Sequence, residues 1–469
     1  MDECMKTGRE GVLMMEKLQS KLYILFPPVF ILFIINLFVG STAGDYVIGL
    51  LAMPMLVIAF VGATRLFRLL GGIFIVTGFG LFLYSGLPLT SLPLLMTSTM
   101  PLLSFLTVLP WMNSVVRSGR FDRRINDLMK VNVDNLGKMY ARSSFTTYFL
   151  GVFINLSALS LSQDVLKDSL KGFKKQLTDS FISRVTLRAF TLALLWSPME
   201  IMVAITVDTT GVSYLAYLPW LFLASVTLLV IDWSWNYQTF KGVANIQDGE
   251  EKTITINRAQ MAWKIAQLML ALTVFLASVV TVGNVFDLDF ILSVTLVILP
   301  FSFLWAWVMG RIRSFLAIGW GTWKGRTNRL QNFVVLFLSL ALFSESLNAT
   351  PFLAVIQEPF YAVSGTPVLI LLLVQYTYLA LSMIGVHPIA TIAILGEILQ
   401  PLFSIINPMS IGMVLIMGAL ATATVGTYGV TVTMTSMNTR QNPYRITLRN
   451  MPFAILCGSV GVLIGLMLL

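Results

Sequence analysis

The chain alternates long apolar runs with short polar ones. Runs of about 20 apolar residues, the length that crosses a ~30 Å hydrocarbon layer, recur from Lys21 to Leu469. They fall first near 21–40, 47–64, 69–86 and 93–112, and later near 189–208, 214–234, 263–283, 289–309, 331–347, 366–384, 388–405, 410–433 and 451–469. The longest polar interruptions, 113–143, 165–187 and 235–262, leave no room for a soluble domain. The pattern predicts an all-α, polytopic integral membrane protein of about 12–13 spanning helices plus re-entrant hairpins, with a possible internal repeat. The expected organisation is a cytoplasmic N-terminal segment (1–20), a first transmembrane half (21–234), a cytoplasmic loop (235–262) and a second transmembrane half (263–469).

One apolar stretch does not thread simply. If Phe145–Leu166 crossed the membrane, Lys167, Lys171, Lys174, Lys175, Arg184 and Arg188 would follow on the outside, against the charge bias of membrane loops. Its middle, Phe153-Ile-Asn155-Leu-Ser157-Ala-Leu-Ser160-Leu-Ser162, is also too polar to face lipid. A re-entrant hairpin near 144–166, entering and leaving on the cytoplasmic face, meets both objections, since backbone can turn at membrane depth where protein or water surrounds it. Residues 163–187 then read as a cytoplasmic amphipathic helix, with Val165, Leu170, Phe173, Leu177, Phe181 and Ile182 interleaved with lysines.

Charge fixes the sidedness. All 31 Lys and Arg lie in seven segments, at 1–21, 64–68, 117–142, 167–188, 241–264, 311–329 and 440–449. Basic loops held on one side of a membrane give this distribution, so the net charge of +9 signals topology rather than nucleic-acid binding. The N-terminus is expected in the cytoplasm, the protein in a prokaryotic plasma membrane, and residues 1–20, which lack a cleavable apolar core, are expected to be retained. Only 11% of residues are charged, against about a quarter in soluble domains, which excludes a water-soluble fold. Cys4 and Cys457 lie at opposite ends, and His387 is the sole histidine, so neither a disulfide framework nor a multi-histidine metal site is implied.

The chemistry is sought among polar groups at membrane depth. Glu200, Asp208, Glu345, Glu358 and Glu397 are carboxylates in or near apolar runs, and such acids are functional candidates by their cost alone. Glu200 and Glu397 sit deeper than the others. The sequence Leu195-Trp-Ser197-Pro198-Met-Glu200 places a helix-breaking proline beside a serine and a carboxylate, freeing backbone groups there. A second break is expected at Gly385-Val-His387-Pro388. Pro198…Ala204…Asp208 weakly echoes Pro388…Ala393…Glu397, and paired breaks in two halves point to a transporter's binding site. A segment rich in small residues and hydroxyls, Gly418 to Gly429 with Thr422, Thr424 and Thr427, offers either close helix packing or ligands. The expected solute- or ion-binding residues are Asn155, Ser157, Ser197, Pro198, Glu200, Asp208, His387, Glu397, Thr422, Thr424 and Thr427. His387 is a candidate proton carrier or a helix cap.

A hydrophobic-polar hairpin, a broken Ser-Pro helix and a later Gly/Thr-rich segment together resemble the ion transporter superfamily, the divalent-anion/sodium symporters and related organic-acid carriers. The nearest counterparts to that group's Ser-Asn-Thr signatures are Asn155-Leu-Ser157 and Thr422-Ala-Thr424. The resemblance implies two scaffold-plus-hairpin repeats, solute and cation held at hairpin tips and helix breaks, and a homodimer.

There is no Gly-x-x-x-x-Gly-Lys-Ser/Thr phosphate loop, so ATP is not an expected energy source. The expectation is a secondary transporter, not an enzyme, moving a small anionic solute coupled to Na+ or H+ and needing no other cofactor. The competing readings are a membrane enzyme or flippase for a lipid-linked phosphate, for which Arg120, Asp122, Arg123, Arg124 and Asp127 come closest, and a membrane scaffold.

Overall fold

The computed structural model describes residues 19–121, 129, 135–243, 258–355, 358 and 365–469, with the backbone alone at 258–261, 393 and 397. Residues 1–18 of the N-terminal segment, the acid and base run 120–127 beyond Phe121, and residues 244–257 of the 235–262 loop lie outside the described residues.

The helices, in chain order, are α1 (Leu22–Val39), α2 (Thr42–Gly62), α3 (Arg65–Ser85), α4 (Met100–Ser118), α5 (Leu136–Ile154), α6 (Leu156–Ser169), α7 (Lys175–Leu195), α8 (Ile201–Thr210) and α9 (Tyr214–Phe240). They continue with α10 (Arg258–Phe286), α11 (Phe290–Val308), α12 (Ile312–Thr327), α13 (Gln331–Asn348), α14 (Pro367–Met383), α15 (Pro388–Leu399), α16 (Pro408–Ala421), α17 (Val430–Thr439) and α18 (Pro443–Met467). Single helical turns lie at Leu89–Ser91, Leu92–Leu95, Gln400–Ser404 and Thr422–Thr424, and there is no β-strand among the described residues. The boundaries follow local chemistry. Ser41, Asn135, Ser213, Asn407 and Asn442 each accept a backbone N–H at a helix start. Proline opens α14, α15, α16 and α18, where its missing N–H costs nothing.

The protein is all-α and polytopic. Eight helical stretches among the described residues are long and apolar enough to cross a membrane: α1, α2, α3, 89–118, α9, α10, α11 and α18. Helices α12 and α13, bent by 53°, make a ninth if taken together. Several other expected spans are divided. The 189–208 segment is the end of α7, a break and α8; 388–405 is α15 and a 3-10 turn; 410–433 is α16, a break and the start of α17.

By packing, the chain forms two compact units, and neither is a sequential half. One comprises 1–114, 298–302 and 312–356; the other comprises 115–297, 303–311 and 357–469. In the first, α13 lies along α3 and α2. The fit rests on small residues: a Cβ at Gly78 would stand 2.8 Å from Phe343 Cα, and one at Gly71 would collide with Val335. Residues 311–329, expected as a basic loop, instead hold α12. Its Lys324 and Arg326 occupy the last turn, where the helix dipole favours them. Trp320 and Trp323 pack edge-on to Tyr23, with Lys324 Nζ 4.6 Å from that ring.

The second unit contains every expected solute- or ion-binding residue, while the carboxylate Glu345 lies in the first. The single amphipathic helix expected over 163–187 is interrupted, because α6 ends at Ser169, Gly172 turns with φ +101°, and α7 starts at Lys175. Its apolar residues still gather: Leu166, Leu170, Phe181 and Ile182 bury against Leu136, Tyr140 and Phe240.

Contacts fix the directions of these helices. Tyr140 packs on Phe181, Gly151 faces Ala193, and Ser197 Oγ donates to the Val152 carbonyl at 3.2 Å, so α5 runs parallel to α7. Gln163 Nε2 donates to Thr186 Oγ1 and Asn155 approaches Glu200, so α6 runs antiparallel to α7. Helices α5 and α6 therefore form a hairpin with its tip at Asn155. The same plan recurs later. Gln375 and Tyr378 face Gly418 and Ser382 faces Gly426, so α14 runs parallel to α16. The chain turns at Gln400–Ser404 straight into α16, so α15 returns antiparallel, forming a second hairpin with its tip at Gly385–His387. The Thr210 end of α8 lies at Tyr217 and, through it, the Pro408 carbonyl, while α7 packs on the Thr422–Thr424 turn. Helices α7 and α16 are thus antiparallel. A hairpin followed by a broken helix (136–210) repeats in inverted sense at 367–439.

Candidate functional site

Four interruptions of helix meet at one level of the second unit. The first is Asn155, whose φ of 46° and ψ of −134° lie where an L-residue is strained. Its Oδ1 accepts from Leu156 N at 2.7 Å, and its Nδ2 points to Glu200 Oε2 at 3.4 Å. The second is Trp196–Glu200. Pro198 cannot donate to a carbonyl one turn back, and neighbours supply what the break removes. Ser225 Oγ donates to the Leu192 carbonyl at 2.7 Å, Ser197 N to Leu194 at 3.2 Å, and Tyr214 Oη to Trp196 at 2.6 Å. Trp196 Nε1 donates to Tyr148 Oη, which in turn meets Ser225 Oγ at 2.9 Å. Ser197 and Glu200 are 2% and 5% exposed, so the break is enclosed and its carboxylate is out of solvent.

The third interruption, Ile384–His387, is the tip of the second hairpin; His387 Nδ1 accepts from Ile389 N at 3.3 Å and so caps α15. The fourth is Thr422–Gly429, between α16 and α17. The third and fourth touch: a Cβ on Gly385 would lie 3.2 Å from the Tyr428 ring, and one on Gly426 2.9 Å from Ser382 Oγ. The fourth also lies level with the first. Ser160, Gln163 and Lys167 of α6 contact Met434, Thr435 and Asn438 of α17 in the same order, so both helices start beside each other.

The N-termini of α6, α8, α15 and α17 consequently face one layer, as do the C-termini of α5, α7, α14 and α16. Each N-terminus carries roughly +0.5 charge and each C-terminus roughly −0.5. Such a layer can hold an anion at one set of ends and a cation at the other.

The expected residues sort clearly. Asn155, Ser197, Pro198 and Glu200 come together, Ser157 stands in the first turn of α6, and His387 and Thr427 belong to the touching third and fourth interruptions. Thr427 Oγ1 pairs with Thr447 Oγ1 at 3.0 Å. Thr422 and Thr424 flank the fourth interruption, but their hydroxyls donate to the Ala419 and Ala421 carbonyls of their own helix. Asp208 is exposed and lies eight residues beyond Glu200, about 12 Å along α8 and away from the layer. Glu397 likewise lies nine residues past Pro388 along α15, and its side chain lies outside the described residues. The echo between Pro198 and Pro388 is not the repeat itself, because Pro198 breaks a long helix whereas Pro388 begins the returning arm of a hairpin.

Sequence reasoning missed one buried cluster. Arg188 Nη1 donates to Asp232 Oδ1 at 2.8 Å, Tyr140 Oη donates to Asp232 Oδ2 at 2.8 Å, and Arg188 Nε donates to Asn450 Oδ1 at 3.0 Å. The signal was an aspartate inside the apolar run Val230-Ile-Asp232-Trp.

No family model matches the sequence, and no curated protein matches it. Among solved structures, the crystal structure of the Alcanivorax borkumensis YdaH transporter is similar, with a TM-score of 0.55. The match covers 80% of this chain and 87% of that one at 15% identity. At this identity the likeness is one of fold. It does not single out the ion transporter superfamily.

Proposed function

We propose that the protein is a secondary active transporter that moves a small anionic solute, coupled to Na+ or H+, across a prokaryotic plasma membrane. The observation that carries this reading is the layer in which two inverted hairpin tips and two broken helices meet. Four helix N-termini would attract the anion, and the opposed C-terminal carbonyls would serve the coupling cation. Glu200, enclosed beside Asn155, is the one carboxylate described in that layer and is assigned to coupling. The hairpins are read as re-entrant from opposite faces, with the open end of the first, bearing Lys167, Lys171, Lys174 and Lys175, in the cytoplasm. An inverted pair of repeats around one site is the usual basis for exposing that site alternately to the two sides.

The test is uptake into proteoliposomes of a panel of radiolabelled mono- and dicarboxylates under an imposed Na+ gradient and, separately, a pH gradient. One solute is expected to accumulate under one gradient. Glu200→Gln, with unchanged elution on size exclusion, is expected to lower that uptake by about tenfold or more, the worth of a charge-assisted hydrogen bond. Accumulation of none of these anions under either gradient, or full uptake by Glu200→Gln, overturns the proposal.

A further inference from the structure

A small cavity lies away from the layer of helix breaks, in the part of the second unit where α7, α9 and α18 adjoin. Its volume is about 70 Å³, and its walls include Arg184, Arg188, Asp232, Trp235, Arg449 and Phe453. The charges are unbalanced. Arg188 is committed to Asp232 at 2.8 Å, to Asn450 Oδ1 and to the Arg449 carbonyl, with Phe453 5.1 Å beneath it. Asp232 is fully used in return by Arg188, Tyr140 and Asn236.

That leaves two guanidinium groups without a carboxylate in contact. Arg184 has a 3.4 Å contact from Nη1 to Asn236 Oδ1, and its buried Nε has no partner. Arg449 donates to Ser183 Oγ and Gln441 Oε1, both neutral. Among the described residues, neither arginine has a carboxylate within ion-pair distance. Asp179, the acid that acts on Arg449 from beyond ion-pair distance, is itself faced by Lys175 and Arg445. A forked, half-buried cationic pair is suited to the oxygens of a phosphate group.

The remaining walls say which kind of phosphate. Ile231, Trp235, Pro452 and Leu456 also line the cavity, and Ile231 and Trp235 are 38% and 55% exposed. They continue the outward apolar faces of α9 and α18, where Leu448 and Ile455 are 69% and 45% exposed. Both helices are long and apolar enough to cross a membrane. Asp232 follows the apolar stretch 214–231 of α9, about 27 Å of helix, which puts it and the neighbouring Arg449 of α18 near the edge of a ~30 Å hydrocarbon layer. Tryptophan is favoured at that depth. A free anion would gain nothing from the apolar rim, whereas a lipid would lay its chains along it.

We infer that the Arg184–Arg449 cavity binds the phosphate headgroup of an anionic phospholipid of the inner leaflet, with its acyl chains along the exposed faces of α9 and α18. The site is separate from the proposed transport layer, and the inference stands whether or not the transport reading does.

The full chain, delipidated in a neutral detergent, would be titrated with phosphatidylglycerol, with phosphatidylcholine and with inorganic phosphate. The readouts are lipid retained in native mass spectrometry and thermal stability. Wild type is expected to retain one phosphatidylglycerol and to gain thermal stability from it, with little effect of the other two. Arg184→Gln/Arg449→Gln should weaken phosphatidylglycerol binding by about thirtyfold, at about a tenfold-or-less step for each arginine. Lys241→Gln, an exposed basic position on the same side, should bind as wild type. Equal stabilisation by inorganic phosphate, or equal retention of phosphatidylcholine, overturns the assignment. So does wild-type protein that retains no phosphatidylglycerol, a result that does not depend on how the variants fold.

Discussion

Replacing Asp232 with leucine removes the carboxylate that anchors Arg188, Tyr140 and Asn236 in the interior of the second unit. Both side chains of the Arg188–Asp232 pair are almost fully buried, at 7% and 1% exposure. A guanidinium left there without its acid would cost about 3–5 kcal/mol. The Tyr140 hydroxyl and the Asn236 amide also lose an acceptor. Arg188→Met alone strands the carboxylate instead and is expected to cost a similar amount. The double variant Arg188→Met/Asp232→Leu removes both charges. Its remaining cost comes from orphaned neutral groups, the Tyr140 and Asn236 donors and the Asn450 Oδ1 and Arg449 carbonyl acceptors, about 1–3 kcal/mol each at most. The double change should therefore cost less than the sum of the singles by about 3 kcal/mol or more, at the upper end of measured pair couplings. Equilibrium unfolding in mixed micelles, followed by tryptophan fluorescence, would give the three free energies. Additivity within about 0.5 kcal/mol, or a loss below about 1 kcal/mol for Asp232→Leu, would refute the reasoning.

Three further outcomes are expected. Asn155→Gly should leave stability nearly unchanged, since glycine relieves the φ of 46° as it loses the two hydrogen bonds, whereas Asn155→Ala keeps the strain and should cost about 1–3 kcal/mol; equal melting temperatures would count against this account. Gly78→Leu should loosen α3 from α13 by about 1–3 kcal/mol, because the added carbon meets the Phe343 backbone, and unchanged thermal stability would show that the seam can shift. Single cysteines in place of Lys138 and Lys171, both exposed near the open end of the first hairpin, should react with a membrane-impermeant maleimide from the same side, and labelling from opposite sides would show that the hairpin crosses.

How far the fold could be read from sequence depended on whether polar residues interrupted the apolar pattern. The turn-back at Asn155 was legible because a basic run followed it and a polar stretch filled it. The break at Ser197-Pro198 was legible because proline has no N–H to give. The second hairpin was hidden, since 366–384 and 388–405 are each apolar enough to pass for a span, and only His387-Pro388 betrayed the tip. That is also why the repeat was sought between the two prolines rather than between Asn155 and Gly385. Asp232 was overlooked as it sits one helix away from its partner in space but 44 residues away in sequence. In the sequence Arg188 reads as the last of the basic residues 167–188. The end of α8 put Asp208 far from its break, which residue type alone does not express, whereas the nine residues between Pro388 and Glu397, about 13–14 Å of helix rise, were legible in the sequence.

The seam between α3 and α13 ties early residues to late ones. The chain between Ser85 and Gln331, about 250 residues long, must be made before α3 meets its partner. At the usual rate of synthesis of about 5–20 residues per second, the delay is roughly 12–50 s. Helices form in under about a microsecond, so α3 spends nearly all of that interval formed but unmatched. Its glycine face, shaped to accept Val335 and Phe343, is a groove waiting for a ridge. Assembly of the first unit is therefore timed by the ribosome rather than by the speed of helix packing, and whatever occupies the groove meanwhile must leave when α13 arrives.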